Sequence, residues 1–191
     1  MRRPPREELV ARIAPGRSFL DVGAMWRVHG AIAFAARDAG ATPVTALDVM
    51  GPTPEFLRRQ GDVRFVQGDV HEPGVVAPHD VVWCSGVLYH APHPLLTLER
   101  LHALTTETLL LATETIRGRG RRAVFAPDPG SHPALTEPFD PAKGYGNWWW
   151  GLSRSAVVAM TEGAGFTVVE RHATRHHLTV VAAKNMKPDR I

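Results

Sequence analysis

Four short β-type runs, each halted by a small or acidic residue, constrain this chain more than anything else in it. Phe19-Leu20-Asp21-Val22 runs into Gly23 and Ala24, and Val44-Thr45-Ala46-Leu47 runs into Asp48. A third run ends in Gly68-Asp69-Val70, and a fourth reads Asp80-Val81-Val82-Trp83-Cys84 before Ser85 and Gly86. Apolar stretches of this length, without polar alternation, read as strands covered on both faces. Helix-type segments separate them. The spacing predicts a short helix over 7–13 and an alanine-rich helix over 28–39 closed by Gly40. It also predicts a Pro-opened helix ending at Arg59, and an amphipathic one over 94–104 with Leu95, Leu98, Leu101 and Leu104 on one face.

Strands alternating with helices specify a parallel α/β sheet with right-handed crossovers. A fifth strand over 108–113, a helix over 153–162 and two last strands over 166–170 and 177–183 complete the pattern. The last two are expected to pair as an antiparallel hairpin. The expected fold is therefore α/β and Rossmann-like, a seven-stranded mostly parallel sheet with helices on both faces and a C-terminal antiparallel hairpin. Residues 1–17 form a short N-terminal extension. Residues 117–150, rich in proline and glycine, form a long loop over the active site. At 191 residues the chain is read as one domain, 1–191.

Composition removes several function classes. No apolar run approaches ~20 residues, so no membrane span is expected. The arginine-rich start is followed by no apolar signal segment, so a cytoplasmic location is expected. Cys84 is the only cysteine, which excludes an internal disulfide. Net charge is only +3, and the arginines at 117, 119, 121 and 122 read as solvated surface rather than the broad basic face of a nucleic-acid reader. His172, His176 and His177 lack cysteines or acids at ligand spacing, so no metal site is expected.

The strand ends carry the chemistry. In an open parallel sheet the ligand crevice lies outside the carboxyl ends of the strands. Gly23, at the first strand-to-helix turn beside Asp21, lets backbone amides approach a ligand. Asp48 sits where a carboxylate can accept from both hydroxyls of a ribose. Asp69 follows strand three, where it can accept from an adenine amino group, with Val70 beside it. Ser85 and Gly86 follow strand four. In this order the set describes a pocket for a nucleoside with a charged tail. Each residue alone has a bland reading: Asp48 could simply cap a helix, and D-x-G-x6-G is a common spacing.

The order and spacing resemble class I S-adenosyl-L-methionine (SAM)-dependent methyltransferases over residues 18–183. The segment Gly86-Val87-Leu88-Tyr89-His90-Ala91-Pro92-His93-Pro94-Leu95-Leu96 is similar to the GVLYH segment of the tRNA wobble-uridine carboxymethyltransferase-like group. Asn147-Trp148-Trp149-Trp150, followed by a helix and Ala164-Gly165-Phe166, is similar to that group as well. The resemblance implies SAM as cofactor, held by Asp21, Gly23, Asp48, Asp69, Val70, Ser85 and Gly86. Tyr89, Glu114, Asn147, Trp148 and Trp149 are expected on the acceptor side; by position alone Glu114, at the end of strand five, either touches the acceptor or binds Arg117, and the tryptophans either wall the acceptor site or pack the loop onto the sheet. In the tRNA-modifying relatives that the GVLYH segment resembles, the tyrosine helps hold the extra carboxylate of carboxy-SAM. His90, just past strand four, is expected either to act as a general base, with Tyr89 beside it, or to cap or pack beneath the loop that follows. Met25 and Arg27 depart from the group's D-x-G-x-G-x-G turn, and Met25 or Trp26 is expected to cover the ligand or fill its pocket.

Three readings follow. The first is a SAM-dependent methyltransferase with a small-molecule acceptor, whose short N-terminal cover leaves room for a partner subunit, a homodimer included, to complete the site. The second is a tRNA wobble-uridine-type modification enzyme, opposed by the near-neutral charge and the 17 residues before strand one. The third is a non-catalytic methyltransferase-like scaffold, motivated by the altered turn.

Overall fold

The computed structural model describes residues 6–125, 142 and 146–185. Its centre is a seven-stranded sheet. In chain order the elements are α1 (Arg6–Ile13), β1 (Phe19–Val22), α2 (Ala31–Asp38), β2 (Val44–Asp48), α3 (Pro54–Arg59), β3 (Arg64–Gln67), β4 (His79–Ser85), α4 (Pro94–Leu104) and β5 (Thr105–Glu114). They continue with β6 (Ala123–Phe125), β7 (Trp150–Leu152), α5 (Arg154–Gly163), β8 (Phe166–Ala173) and β9 (His177–Lys184). The strand order is β3-β2-β1-β4-β5-β9-β8. β1 to β5 run parallel, β9 pairs antiparallel with β5, and β8 pairs antiparallel with β9. The expected fold, hairpin included, is the one found.

The central strands explain why the sheet is covered on both faces. In β4, Val81 and Trp83 point into a core with Phe34, Phe56 and Val10, under α1, α2 and α3. Val82 and Cys84, one residue out of phase, point into a second core with Leu98, Leu101 and Val157, under α4 and α5. Both sets are buried. Cys84 is a buried free thiol whose ionisation is pushed up, first by burial and then by the charge of Asp21.

Three local expectations change. The helix expected over 28–39 begins only at Ala31, because Arg27 and His29 adopt left-handed φ angles of 59° and 48° and hold residues 26–30 as turns. Gly30 follows with φ 78°, and a Cβ there would lie 2.4 Å from Phe56. Leu95 is 55% exposed, and the buried side of α4 is Thr97, Leu98, Leu101 and Leu104. Position 95 falls in the helix's first turn, at its solvent edge. Third, the 117–150 segment expected as a loop contributes β6 and β7, a two-stranded antiparallel sheet with Phe125 opposite Trp150. The rest of that loop, 126–141 and 143–145, lies outside the described residues.

The amino ends of three strands are tied by one carboxylate. Asp80 accepts from the Ser18 amide at 3.0 Å, the Ser18 hydroxyl at 2.8 Å and the Thr106 hydroxyl at 2.8 Å. Hydrogen bonds to its charged form hold it below the usual carboxylate range. At the far end of the sheet, β1 and β4 leave in opposite directions: β1 feeds β2 and β3 on one side, β4 feeds β5 on the other. This reversal opens a crevice at the carboxyl ends of β1 and β4.

Candidate functional site

A cavity of about 750 Å³ fills that crevice, a volume in the range of small-ligand sites. Asp21, Val22 and Gly23 reach it from β1 and its turn, Leu47 and Asp48 from β2, Gly68, Asp69 and Val70 from the end of β3, and Ser85, Gly86, Val87, Tyr89 and His90 from β4 and beyond. Glu114 enters from the end of β5, and Arg6 from α1. All seven residues expected to hold a nucleoside ligand therefore face one space.

The turn after β1 is shaped for close approach. Gly23 has φ 80°, and a Cβ there would sit 2.7 Å from Val87 Cγ2 and 3.0 Å from the Ser85 carbonyl oxygen. Asp21 is 2% exposed and accepts from the Ala33 amide at 3.1 Å. It thus satisfies an amide in the first turn of α2, which Gly30 cannot cap from its own position. Burial pushes the Asp21 carboxyl up to about 7; the Ala33 bond opposes this, the charge of Asp48 adds to it, and Arg6 opposes it.

Asp48 has a second job beside any ligand. Its Oδ2 accepts from the Met25 amide at 2.7 Å and its Oδ1 from the Met50 amide at 2.8 Å. The carboxylate holds the β1–α2 turn in place while still lining the cavity, and each oxygen keeps a lone pair. Met25 itself is fully buried in the α2-side core and leaves the cavity open. Trp26, 66% exposed, stands at the rim with the Arg27 guanidinium 5.7 Å from its ring centroid. Neither side chain plugs the pocket.

Asp69 is backed by a side-chain chain. Its Oδ1 accepts from the His71 amide at 2.9 Å and meets His71 Nδ1 at 2.7 Å. His71 Nε2 lies 2.8 Å from the Thr97 hydroxyl, which in turn donates to the carbonyl of His93, the residue before α4. The orientation of Asp69 is therefore fixed through His71 by a buried threonine of α4.

On the opposite wall, Tyr89 and His90 follow β4. His90 Nδ1 lies 2.5 Å from the Asn147 carbonyl oxygen. A carbonyl only accepts, so Nδ1 carries the proton and the Nε2 lone pair is left to act as a base. Burial holds the His90 imidazolium below its ordinary range, against the pull of the Asn147 carbonyl. Burial, then the charge of Glu114, pushes the Tyr89 phenol up to about 12, which keeps it a neutral donor. No ion pair joins Glu114 to Arg117 among the described residues.

The tryptophan run clasps this wall from behind. The Trp149 and Trp150 amides donate to the Tyr89 carbonyl at 3.0 and 3.4 Å, and Trp150 Nε1 donates to the Pro92 carbonyl at 2.9 Å. The Trp148 ring lies 4.4 Å from that of Tyr89, and Trp149 packs on Phe125 at 6.1 Å. Asn147, Trp148 and Trp149 support Tyr89 and His90 and are not among the described residues that line the cavity.

Sequence reasoning missed two cavity groups. Arg6 is brought over the crevice by packing of α1 against α2, which no local motif signals. Trp83 lies beside Asp21 in register on the neighbouring strand, is fully buried, and lines the cavity with an indole N–H that has no acceptor among the described residues. Period-2 alternation along β4 puts it on the Asp21 face, so its place was readable in principle.

Solved structures of similar shape fit this geometry. A 1,6-didemethyltoxoflavin N1-methyltransferase from Burkholderia thailandensis, solved with its substrate and S-adenosylhomocysteine (SAH), superposes with a TM-score of 0.66 at 22% identity, covering 94% of this chain and 78% of that one. The chain has the fold of the SAM-dependent methyltransferases. A magnesium protoporphyrin IX methyltransferase from Synechocystis PCC 6803 with bound SAM gives a TM-score of 0.65 at 18% identity, covering 94% and 78%. A SAM-dependent methyltransferase from Mesorhizobium loti gives 0.65 at 13% identity, covering 94% and 98%. No protein-family model and no curated protein matches the sequence.

Proposed function

We propose that the protein is a SAM-dependent methyltransferase acting on a small-molecule acceptor. One observation carries the reading: Asp21, Gly23, Asp48, Asp69, Val70, Ser85 and Gly86 converge on one cavity at the point where the strand order reverses. The cavity also fits the cofactor in detail. Gly23 leaves room that any Cβ would fill, and the orphaned Trp83 indole N–H, with Arg6 nearby, offers donors for the carboxylate of the cofactor's amino-acid tail. The likeness to enzymes solved with SAM or SAH supports the same assignment.

SAM held here would supply an activated methyl group on its sulfonium. The chain's own residues do the rest. Asp48 would hold the ribose hydroxyls and Asp69 the adenine amino group. His90 Nε2 accepts the proton that the acceptor's nucleophile loses, because Asn147 fixes the tautomer that leaves this nitrogen bare. Tyr89 donates a hydrogen bond to the acceptor, and Trp148 to Trp150 keep the pair in position. Glu114 completes the acceptor side.

The likeness of Gly86 to Leu96 to the tRNA wobble-uridine group bears on Tyr89, whose hydroxyl lies near Gly86 at the cavity wall. It favours a second reading, transfer to a wobble uridine. Calorimetry with SAH and with tRNA tests both. The first reading expects saturable heat with SAH, and absence of SAH binding rejects it. The second expects tRNA binding that weakens steeply with salt.

A further inference from the structure

A second hollow, of about 480 Å³, opens beside the β5–β6 connection and is lined by Ile116, Arg117, Gly118, Arg154, Ser155 and Arg175. Three of these six are arginines. They come from three distant stretches of chain: the exit of β5, the first residue of α5 and the β8–β9 turn. Among the described residues none of the three has a carboxylate within salt-bridge distance. Like charges gathered around one hollow repel each other, and a bound anion relieves that repulsion.

The hollow is built. Arg154 Nη2 donates to the Thr174 carbonyl and, at 3.2 Å, to the Arg175 carbonyl, which anchors one edge of its guanidinium to the β8–β9 turn. Its Nε and Nη1 hydrogens are left for a ligand. The 116–122 connection is stapled to the start of α5: the Ile116 amide donates to the Leu152 carbonyl at 3.0 Å, the Ser153 amide to the Arg122 carbonyl at 2.9 Å, and the Ser153 hydroxyl to the Gly120 carbonyl at 2.8 Å. The Ser155 hydroxyl donates to Gly120 as well. The stapled connection sets Arg117 beside Arg154, and Arg154's anchored guanidinium loses little freedom on binding.

The hollow also lies close to the chemistry. Arg117 follows Glu114 by three residues, so their Cα atoms lie within about 11 Å. We propose that this hollow is a binding site for a phosphate group carried by the methyl acceptor. The inference rests on the methyltransferase reading for the acceptor's role, though not for the site itself. Three arginines around one hollow suit a dianion with three equivalent oxygens better than a single carboxylate. They ring one hollow rather than form a stripe, which suits a small phosphate ester more than a nucleic-acid backbone.

Two experiments on the full chain test this. Pyrophosphate titrated into the 15N-labelled protein should shift, saturably, the amides around residues 117–120, 154–156 and 174–176. The double variant Arg117→Gln/Arg175→Gln should weaken that binding roughly tenfold or more while SAH affinity stays unchanged. Shifts spread over the surface, or the same affinity in the variant, overturn the site. Loss of SAH binding in the variant overturns its separateness from the cofactor cavity. In the second experiment, labelled SAM and the protein are added to a small-molecule cell extract. Label should enter a fraction retained on anion exchange, and enter less after phosphatase treatment of the extract. Equal incorporation after phosphatase overturns the acceptor assignment. Failure of the wild type to bind SAH rejects the methyltransferase reading and with it the acceptor's role, while the pyrophosphate result independently decides the site.

Discussion

At the scale of single residues, the site depends on where protons sit. Asp21 has a folded-state pKa raised to about 7 by burial, well above that of an unfolded aspartate. Between those values the folded chain binds the extra proton, so the group's stabilising contribution, present at low pH, is lost as pH rises through neutrality. Asp21→Asn keeps an oxygen for the Ala33 amide and removes the titration. The variant should flatten that fall, and near pH 8 it should be more stable than the parent by at least ~1 kcal/mol, as read by denaturant unfolding across pH. His90 carries the opposite sense: burial favours its neutral form, so the ring nitrogen proposed as the base stays unprotonated below the ordinary histidine range. His90→Gln should lower kcat by about 10² to 10⁴ with a supporting acceptor, and SAH affinity should not change. His71 acts at one remove. His71→Ala frees Asp69 from its link to Thr97 and should weaken SAH more than it weakens S-inosylhomocysteine, which lacks the adenine amino group. Calorimetry with the two ligands separates this from a general loss of structure, which would weaken both alike.

At the scale of elements, the turn between β1 and α2 is the part least tolerant of change. It contains two non-glycine residues with left-handed φ and one glycine whose missing Cβ is the space next to Ser85 and Val87. Gly23→Ala should cost more than ~1 kcal/mol and remove SAH binding, as followed by thermal melts with and without ligand. The elements themselves were largely legible. Continuous apolar runs marked the central strands, Pro94 marked the start of α4, and Gly40 marked the end of α2. The turn was not, because helix propensity in Val28 to Ala39 favours an earlier start than the left-handed Arg27 and His29 allow. β6 and β7 escaped for a related reason: three-residue strands carry too few residues to show a period. The strand-end acids were readable as a set, since parallel topology fixes which end they share. Arg6 was not, because only tertiary packing of α1 brings it there.

For the whole molecule, the sheet acts as a fixed frame whose carboxyl edge carries the site and whose amino edge carries ties. No described helix is long and apolar enough to cross a membrane. A ligand that binds only the folded chain raises its stability by about 2.7 kcal/mol at a hundredfold excess over Kd. For a chain of this size that corresponds to a rise in Tm of roughly 5–10 °C, and SAH should produce it. Asp80 serves the other edge, tying the starts of β1, β4 and β5.

The bonds from Asp48 to the Met25 and Met50 amides bear on how descendants of this protein can lose activity. The side chain proposed to hold the sugar also shapes the cavity floor. Selection for a well-formed chain alone is enough to retain it, so a catalytically silent cousin would still carry this aspartate. Its presence in a related sequence is therefore weak testimony of enzymatic life.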